Sequence, residues 1–363
     1  MRVAFVHDWL VTWRGGEKVL EALLELYPNA PIYTLFYDEA EMPESIRKRT
    51  VIVDPWLNKL QRFRKMLLPL LPAAVEAMPL EDYDLVISTS SCVAKGVLVG
   101  ADARHLSYIH SPMRYIWDQR RYYLTPHRSL SLIEMIKHIL LSKLRVWDVS
   151  SNHRVDRFVA NSSFVRSRVK RYYGRDAQVV HPPVAIERFK PQNAKKGGYF
   201  LAAGAFVNYK RFDLAIAACE KLGKKLIVAG SGPDEKQLRR LAGKMTEFRV
   251  KPSAHEWVQL FQDADALIFP GVEDFGITAI EALAAGTPVI ALKSGGALDF
   301  VQEGKTGLFF QEATVDSLCR TLQNFPSQAF HRDYLTTFAA TFSRDNFQRK
   351  MRQEIDAIVK DRA

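Results

Sequence analysis

Two carboxylates, Glu273 and Glu281, bracket the start of an apolar helical pattern in the stretch Pro270-Gly271-Val272-Glu273-Asp274-Phe275-Gly276-Ile277-Thr278-Ala279-Ile280-Glu281. The stretch reads as a buried strand, a loop holding carboxylates, then a helix closed by Gly286 and Pro288. Placing Phe275, Gly276 and Ile277 at the helix start aims backbone N–H groups and the positive end of the helix dipole at one point, which suits a diphosphate. Glu281 lies a turn further in, on a helix that otherwise reads Ala, Ile, Leu and Ala. A carboxylate there needs a partner. The paired hydroxyls of a ribose would serve, and so would a neighbouring lysine. Residue types alone therefore leave two readings open, a sugar-nucleotide site and an ordinary capped helix.

Other polar groups sit at the ends of apolar runs. These are Gly15-Gly16-Glu17-Lys18, Tyr108-Ile109-His110-Ser111-Pro112, Asn208-Tyr209-Lys210-Arg211-Phe212 and Ala229-Gly230-Ser231-Gly232-Pro233. A Lys beside an Arg is ordinarily a solvated pair, and a His at a strand end is ordinarily a hydrogen-bonded core residue. Asp263-Ala264-Asp265 reads as a helix end followed by a strand start. No His, Cys or Glu cluster has metal-ligand spacing, so no metal is required. Cys92, Cys219 and Cys319 lie far apart in apolar settings and read as reduced packing residues.

The elements that would position these groups alternate. In the first half, strands are expected at Arg2–Val6, Ile32–Phe36, Asp84–Thr89, His105–Ile109 and Arg157–Ala160, with an edge strand at Val179–Val184. Helices are expected at Gly16–Leu26, Trp56–Val75 and Leu130–Val149. Residues 191–198 read as a linker. After it the βα rhythm restarts, with strands at Gly198–Gly204, Lys225–Ala229, Ala266–Pro270 and Pro288–Ala291. The helices between them are Phe212–Lys221, Asp234–Gly243, His255–Asp263 and Ile277–Ala285. The expected class is α/β. It comprises a Rossmann-like doubly wound domain over 1–190, a second over 191–335 and a C-terminal helix over 336–363 free to cross back onto the first domain. Ligands in two such domains facing a cleft bind beyond the carboxyl ends of the strands.

Apolar residues make up 47% of the 363 and charged residues 25%, an ordinary globular composition. The formal charge of +11 is uneven, since residues 101–190 carry 17 Lys/Arg against 7 Asp/Glu. Such a surface suits phosphorylated substrates, anionic lipid or nucleic acid. No base-reading module accompanies it, which sets nucleic acid aside. Residues 54–75 mix Trp56, Leu57, Leu60, Phe63, Met66 and Leu67 with Lys59, Arg62, Arg64 and Lys65, the composition of a helix lying on an anionic membrane. The chain opens on Arg-Val-Ala-Phe-Val without a leader pattern, and no apolar run is long enough to span a bilayer. The expected location is cytoplasmic, with peripheral contact on the inner face of the cytoplasmic membrane.

The order and spacing of these motifs resemble the retaining GT-B glycosyltransferases of family 4. Glu273 and Glu281 match the E-x7-E motif, Asn208–Ile216 the lysine motif, and Gly230-Ser231-Gly232-Pro233 the glycine-proline turn. Lys293–Ala297 and Glu303–Leu308 match the closing segments. In the first half, Gly15–Leu20, Asp84–Val97 and Tyr108–Asp118 are similar to a branch of bacterial mannosyltransferases of O-antigen and exopolysaccharide assembly. The resemblance implies transfer of a hexose, mannose from GDP-mannose, to a glycan or lipid-linked saccharide, with the nucleotide sugar as co-substrate and no cofactor. It also implies roles. Lys210 would neutralise the departing diphosphate, and Glu273 would meet sugar hydroxyls beside the N–H groups of Phe275, Gly276 and Ile277. Glu281 would accept from the ribose. His110 would assist at the reacting face, with Gly15 and Gly16 near the phosphates. Arg211, Ser231 and Gly232 complete the donor side. Two departures stand out. Ala205 occupies a position where many members carry a phosphate-clamping Arg, and Arg249-Val250-Lys251-Pro252 stands where a glycine near the nucleobase is common. A catalytically silent binding protein and a transferase using UDP-glucose are the rival readings.

Overall fold

The structure is a computed structural model that describes residues 1–64, 66–118, 132–190, 197–326 and 329–360. Its chain forms two compact units. One comprises Met1–His181 together with the chain from Phe347 onward, and the other comprises Pro182–Asn346. The division falls at His181–Pro182, ahead of the polar segment 191–198, whose residues 191–196 lie outside the described ones.

The first unit holds a seven-stranded parallel sheet. Its strands are β1 (Val3–His7), β2 (Ile32–Thr34), β3 (Val51–Ile52), β4 (Leu85–Ser90), β5 (Arg104–Ile109), β6 (Arg157–Ala160) and β7 (Ala177–Val179). Their order is β3-β2-β1-β4-β5-β6-β7, so the winding reverses between β1 and β4. Helices α1 (Gly15–Leu24), α2 (Glu44–Arg47), α3 (Pro55–Lys59), α4 (Leu71–Glu76), α5 (Leu132–Ser150) and α6 (Ser163–Tyr173) surround it. Strand β1 is buried throughout because both of its faces are covered. Val3 and Phe5 join Val19, Leu20 and Leu23 of α1 and Phe347, Met351 and Ile355 of the last helix. Ala4 and Val6 point the other way, to Leu71, Val75 and Leu144.

The second unit is a six-stranded parallel sheet of β8 (Phe200–Ala205), β9 (Leu226–Ser231), β10 (Thr246–Val250), β11 (Ala266–Phe269), β12 (Val289–Leu292) and β13 (Gly307–Phe310). The order β10-β9-β8-β11-β12-β13 reverses between β8 and β11. Helices α7 (Phe212–Leu222), α8 (Glu235–Leu241), α9 (Ala254–Asp263), α10 (Ile277–Ala284), α11 (Val315–Gln323) and α12 (Arg332–Ala340) cover its faces. The chain ends in α13 (Arg344–Lys360), which packs on the first unit through Phe347, Met351, Ile355 and Ile358. Both units are thus Rossmann-like.

Several expected elements differ. The helix expected over Trp56–Val75 is broken into α3, a 3₁₀ turn at Gln61–Phe63, and α4. Pro69 and Pro72 cannot continue a helix hydrogen-bond ladder, and Pro72 instead sits in the first turn of α4. Lys65 of that segment, and Leu130 at the expected start of α5, lie outside the described residues. Val180–Val184 is not strand, since the two prolines supply no ladder donors. The single C-terminal helix is two, with Phe342 turned into the core 5.7 Å from the Phe275 ring. Ser343 restarts the second helix by accepting from the Asn346 N–H at 3.4 Å. Strand β10 escapes a periodicity reading because it is an edge, with Glu247, Arg249 and Val250 exposed.

A buried ion pair ties α5 to the sheet. Lys95 and Asp148 are 1% and 0% exposed at the side chain, with Nζ 3.1 Å from Oδ1. Nζ also donates to Ser151 Oγ at 2.7 Å, and Asp148 Oδ2 accepts from Trp117 Nε1 at 2.8 Å. Removing one partner leaves the other charged and unpaired in the core. Lys95→Met should therefore lower unfolding free energy by about 3–5 kcal/mol, read from urea midpoints. A loss under about 0.5 kcal/mol, the size of a neutral surface change, would contradict the pairing.

Candidate functional site

In the second unit, reversal of the strand order brings the loops after β8 and β11 together, and each delivers one charged group. Lys210, 7% exposed, follows β8, and Glu273 follows β11. Lys210 Nζ donates to Glu273 Oε1 at 2.6 Å. The lysine reaches this position by crossing Gly204, whose φ is 134° and where a Cβ would lie 2.9 Å from Nζ. The loop carrying Glu273 is held from behind, since Gly296 N donates to the Glu273 carbonyl at 2.9 Å. A side chain at Gly295 or Gly296 would strike the backbone of Glu273–Phe275. Phe275 is buried, its ring 6.0 Å from Phe300. Gly276, with φ 115°, then turns the chain into α10 as an N-cap without a side chain, and Ile277 is the first helical residue.

Other donor-side residues fall around this pair. Glu281 lies on α10 and accepts from the Trp257 indole Nε1 at 3.2 Å, so a tryptophan of α9 stands where a ribose or a lysine was expected. Ser231 ends β9 in register with Ala205 of β8, and its carbonyl accepts from Phe206 N at 2.9 Å. Gly232 runs so close to Phe206 that no side chain would fit. Arg211 sits in the left-handed region at φ 54° and bonds to Asp213. Its Nε and Nη2 each lie 3.0 Å from a carboxylate oxygen of Asp213.

The first unit gathers polar groups at its own reversal. His7 at the end of β1 is bonded through Nδ1 to Thr89 Oγ1 at 2.6 Å. Asp8 is 2% exposed and accepts four backbone N–H bonds, from Ser91 (2.6 Å), Cys92 (2.9 Å), Val93 (2.7 Å) and Ala94 (2.7 Å). Its carboxylate fills the anion-binding concavity that the loop after β4 would otherwise present. His110 follows β5, its carbonyl held by Asn161 Nδ2 at 2.9 Å and its ring 6.4 Å from His7. Gly16 at the start of α1 lies against that ring, and a Cβ there would sit 3.5 Å from Nε2. Gly15 opens the same helix. Among the described residues, His110 Nε2 has no hydrogen-bond partner.

Residues 184–340 match the model described as glycosyl transferases group 1, and residues 13–188 match that of glycosyltransferase family 4. An Anabaena protein solved in complex with UDP-glucose superposes with a TM-score of 0.70 at 14% identity, covering 98% of this chain and 100% of that one. Sucrose-phosphate synthase from Thermosynechococcus elongatus gives 0.70 at 16% identity, covering 99% and 100%. The chain has a GT-B glycosyltransferase fold. In sequence, the D-inositol 3-phosphate glycosyltransferase of Streptomyces scabiei is 29% identical over 204 residues, covering 47% of this chain and 46% of that protein. Its counterpart in Mycobacterium bovis is 33% identical over 178 residues, covering 42% and 37%. The GT-B chain matches less than half the length of these curated relatives.

Of the residues named from sequence, Lys210 and Glu273 meet at the second unit's strand reversal and His110 lies near His7 in the first, while the sequence reading did not name Asp8 or His7, or Trp257 beside Glu281. A polar pair, His7-Asp8, at the end of an unbroken apolar strand was the available signal for the first two. Trp257 gave none, because its link to Glu281 joins separate helices.

Burial lowers the pKa of His7 and His105 to about 4. Burial first, then the neighbouring His7 ring, lowers that of His110 to about 3. These histidines stay neutral when folded, while the unfolded chain binds protons once pH falls below the ordinary value of 6.5. Their contribution to stability is therefore complete above that value and shrinks as pH drops from there toward 4, by roughly 1–3 kcal/mol per buried ring. Their imidazole NMR signals should not titrate between about pH 7.5 and 5. A midpoint near the ordinary value for His7 would overturn the assignment.

Proposed function

We propose that this protein is a retaining glycosyltransferase. In this reading it moves a hexose, mannose from GDP-mannose, onto a hydroxyl of a glycan or polyprenyl-linked saccharide in cell-surface polysaccharide assembly. The observation that carries the proposal is the Lys210–Glu273 pair, 2.6 Å apart at the strand reversal and beside the start of α10. A cation, a carboxylate and a helix N-terminus at one point are what a sugar diphosphate needs.

Lys210 exchanges Glu273 for the donor diphosphate and stabilises the charge that grows on it as the glycosidic bond breaks. Glu273, released, accepts from sugar hydroxyls. The acceptor oxygen attacks the same face that the diphosphate leaves, and its proton passes to the departing phosphate oxygen, which gives retention. Glu281 accepts from the ribose hydroxyls, with the Trp257 N–H fixing its carboxylate. Neutral His110 acts as a hydrogen-bonding group at the sugar rather than as a cation. No step calls on a divalent metal.

Two observations favour the rival readings. Ala205 provides no guanidinium beside Lys210, and Arg211 is engaged by Asp213, which supports a silent binding protein. The Anabaena structural neighbour, solved with UDP-glucose, supports a different donor. Screening hydrolysis of a nucleotide-sugar panel separates the readings, and turnover highest with GDP-mannose is the expected result. Lys210→Met should lower kcat at least about 100-fold with the fold intact, and Glu281→Gln should abolish turnover as well. Near-normal activity in either variant sinks the site, and absence of GDP or UDP binding by calorimetry favours the silent protein.

A further inference from the structure

Helix α5 presents apolar residues on two opposite sides. Inward, Leu141, Leu144 and Trp147 pack on the sheet. Outward, Leu132, Ile136, Ile139 and Val146 are 69%, 48%, 49% and 69% exposed, with Met135 and Leu140 beside them. Their spacing of three and four residues lines one stripe along a helix about 28 Å long. Lys143 falls on the same stripe and is exposed, and Lys137 beside it is paired with Glu134 at 2.8 Å.

The segment 55–70 continues this surface. Leu57, Leu67 and Leu68 pack on the same core cluster as the inner face of α5, so both elements cover one side of the sheet. Trp147 Nε1 donates to Glu76 Oε1 of α4 at 2.7 Å, tying the two together. Trp56, Phe63, Met66 and Leu70 are 71%, 49%, 79% and 65% exposed. Lys59 and Arg62 stand exposed among them, and residues 55–71 contain no carboxylate.

We infer that the outer face of α5, together with the exposed side chains of Trp56, Lys59, Arg62, Phe63, Met66 and Leu70, is a docking surface for an anionic lipid bilayer. Monomeric surfaces seldom leave such a stripe uncovered. Apolar side chains set among cations are what the acyl–headgroup boundary of an acidic membrane accepts. A second copy fits less well. Each copy carries +11, and residues 55–71 hold four Lys/Arg and no Asp/Glu, so pairing through this surface would oppose like charges. The surface lies wholly in the first unit and does not depend on the donor proposal.

The test is co-sedimentation of the full chain with vesicles of phosphatidylcholine alone or mixed with phosphatidylglycerol. Binding to the anionic vesicles should exceed binding to the neutral ones at least about tenfold and fall with salt. The double variant Ile136→Ser/Ile139→Ser should reduce it about tenfold, and Trp56→Ser/Met66→Ser should do so independently, with circular dichroism melts confirming that each folds. Equal binding to both vesicle types, or unchanged binding in both double variants, overturns the inference. So does light scattering that shows a dimer which Ile136→Ser/Ile139→Ser converts to monomer. GDP and UDP titrations on the same samples report on the second unit, so failure of the donor reading and failure of the docking surface are separately visible.

Discussion

Reversal of strand order is the constraint from which the rest of this molecule follows. In a parallel sheet every loop at the carboxyl edge leads to a helix on one face or the other. Where the winding changes direction, two adjacent loops diverge and leave a gap between them. The second unit fills that gap with Lys210 and Glu273, and the first with His7, Asp8, Thr89 and the loop after β4. The two gaps are filled differently. Asp8 is fully engaged by four backbone N–H groups of its own unit, which makes that corner rigid. Lys210 and Glu273 hold each other through side chains, an arrangement that another ion can replace.

That exchangeability has an energetic basis. Drawing an ammonium and a carboxylate out of water costs several kcal/mol per ion, and their attraction roughly offsets it. A pair near balance contributes little net stability. It does keep the lysine extended at the carboxyl edge and prevents it from folding back to solvent. In the proposed function, a diphosphate, with more charge and more acceptor oxygens than one carboxylate, would compete for the same ammonium. The glycines serve the same end by geometry. Gly204 leaves the path that the lysine stem takes, and Gly295 and Gly296 let the next loop press against the backbone of Glu273–Phe275. A methyl group at any of these would displace a charged group or the loop that carries it.

Much of this was legible in the residues, and the failures are instructive. Buried parallel strands read clearly because helices on both faces make them uniformly apolar, as in Leu226-Ile227-Val228-Ala229. Edge strands did not, because β10 alternates exposed charges with half-buried side chains and borrows its identity from β9. Residues 54–75, basic and apolar in composition, read as one helix, and the structure breaks them. Pro69 and Pro72 outweigh the helical spacing of the leucines. At the candidate site, charged groups near strand ends were found by motif order. A partnership across helices, such as that of Trp257 on α9 with Glu281 on α10, depends on a packing angle that no local pattern encodes.

Arg211 shows why proximity in sequence is a poor guide to shared function. It adjoins Lys210 and sits in the left-handed region at φ 54°, yet the two side chains bind different carboxylates. The lysine goes inward to Glu273. The arginine goes to Asp213 in the first turn of α7, where its planar fork meets both carboxylate oxygens. That bond gives the strained backbone a local compensation, since a residue other than glycine in this region costs of order 1 kcal/mol. Freeing Arg211 to replace the guanidinium missing at Ala205 would forfeit both the bond and the compensation. Under the proposed function, the charge facing a donor diphosphate in the second unit would therefore rest on Lys210 and the α10 N-terminus, and this single lysine would weigh more here than in a site that shares the load with an arginine.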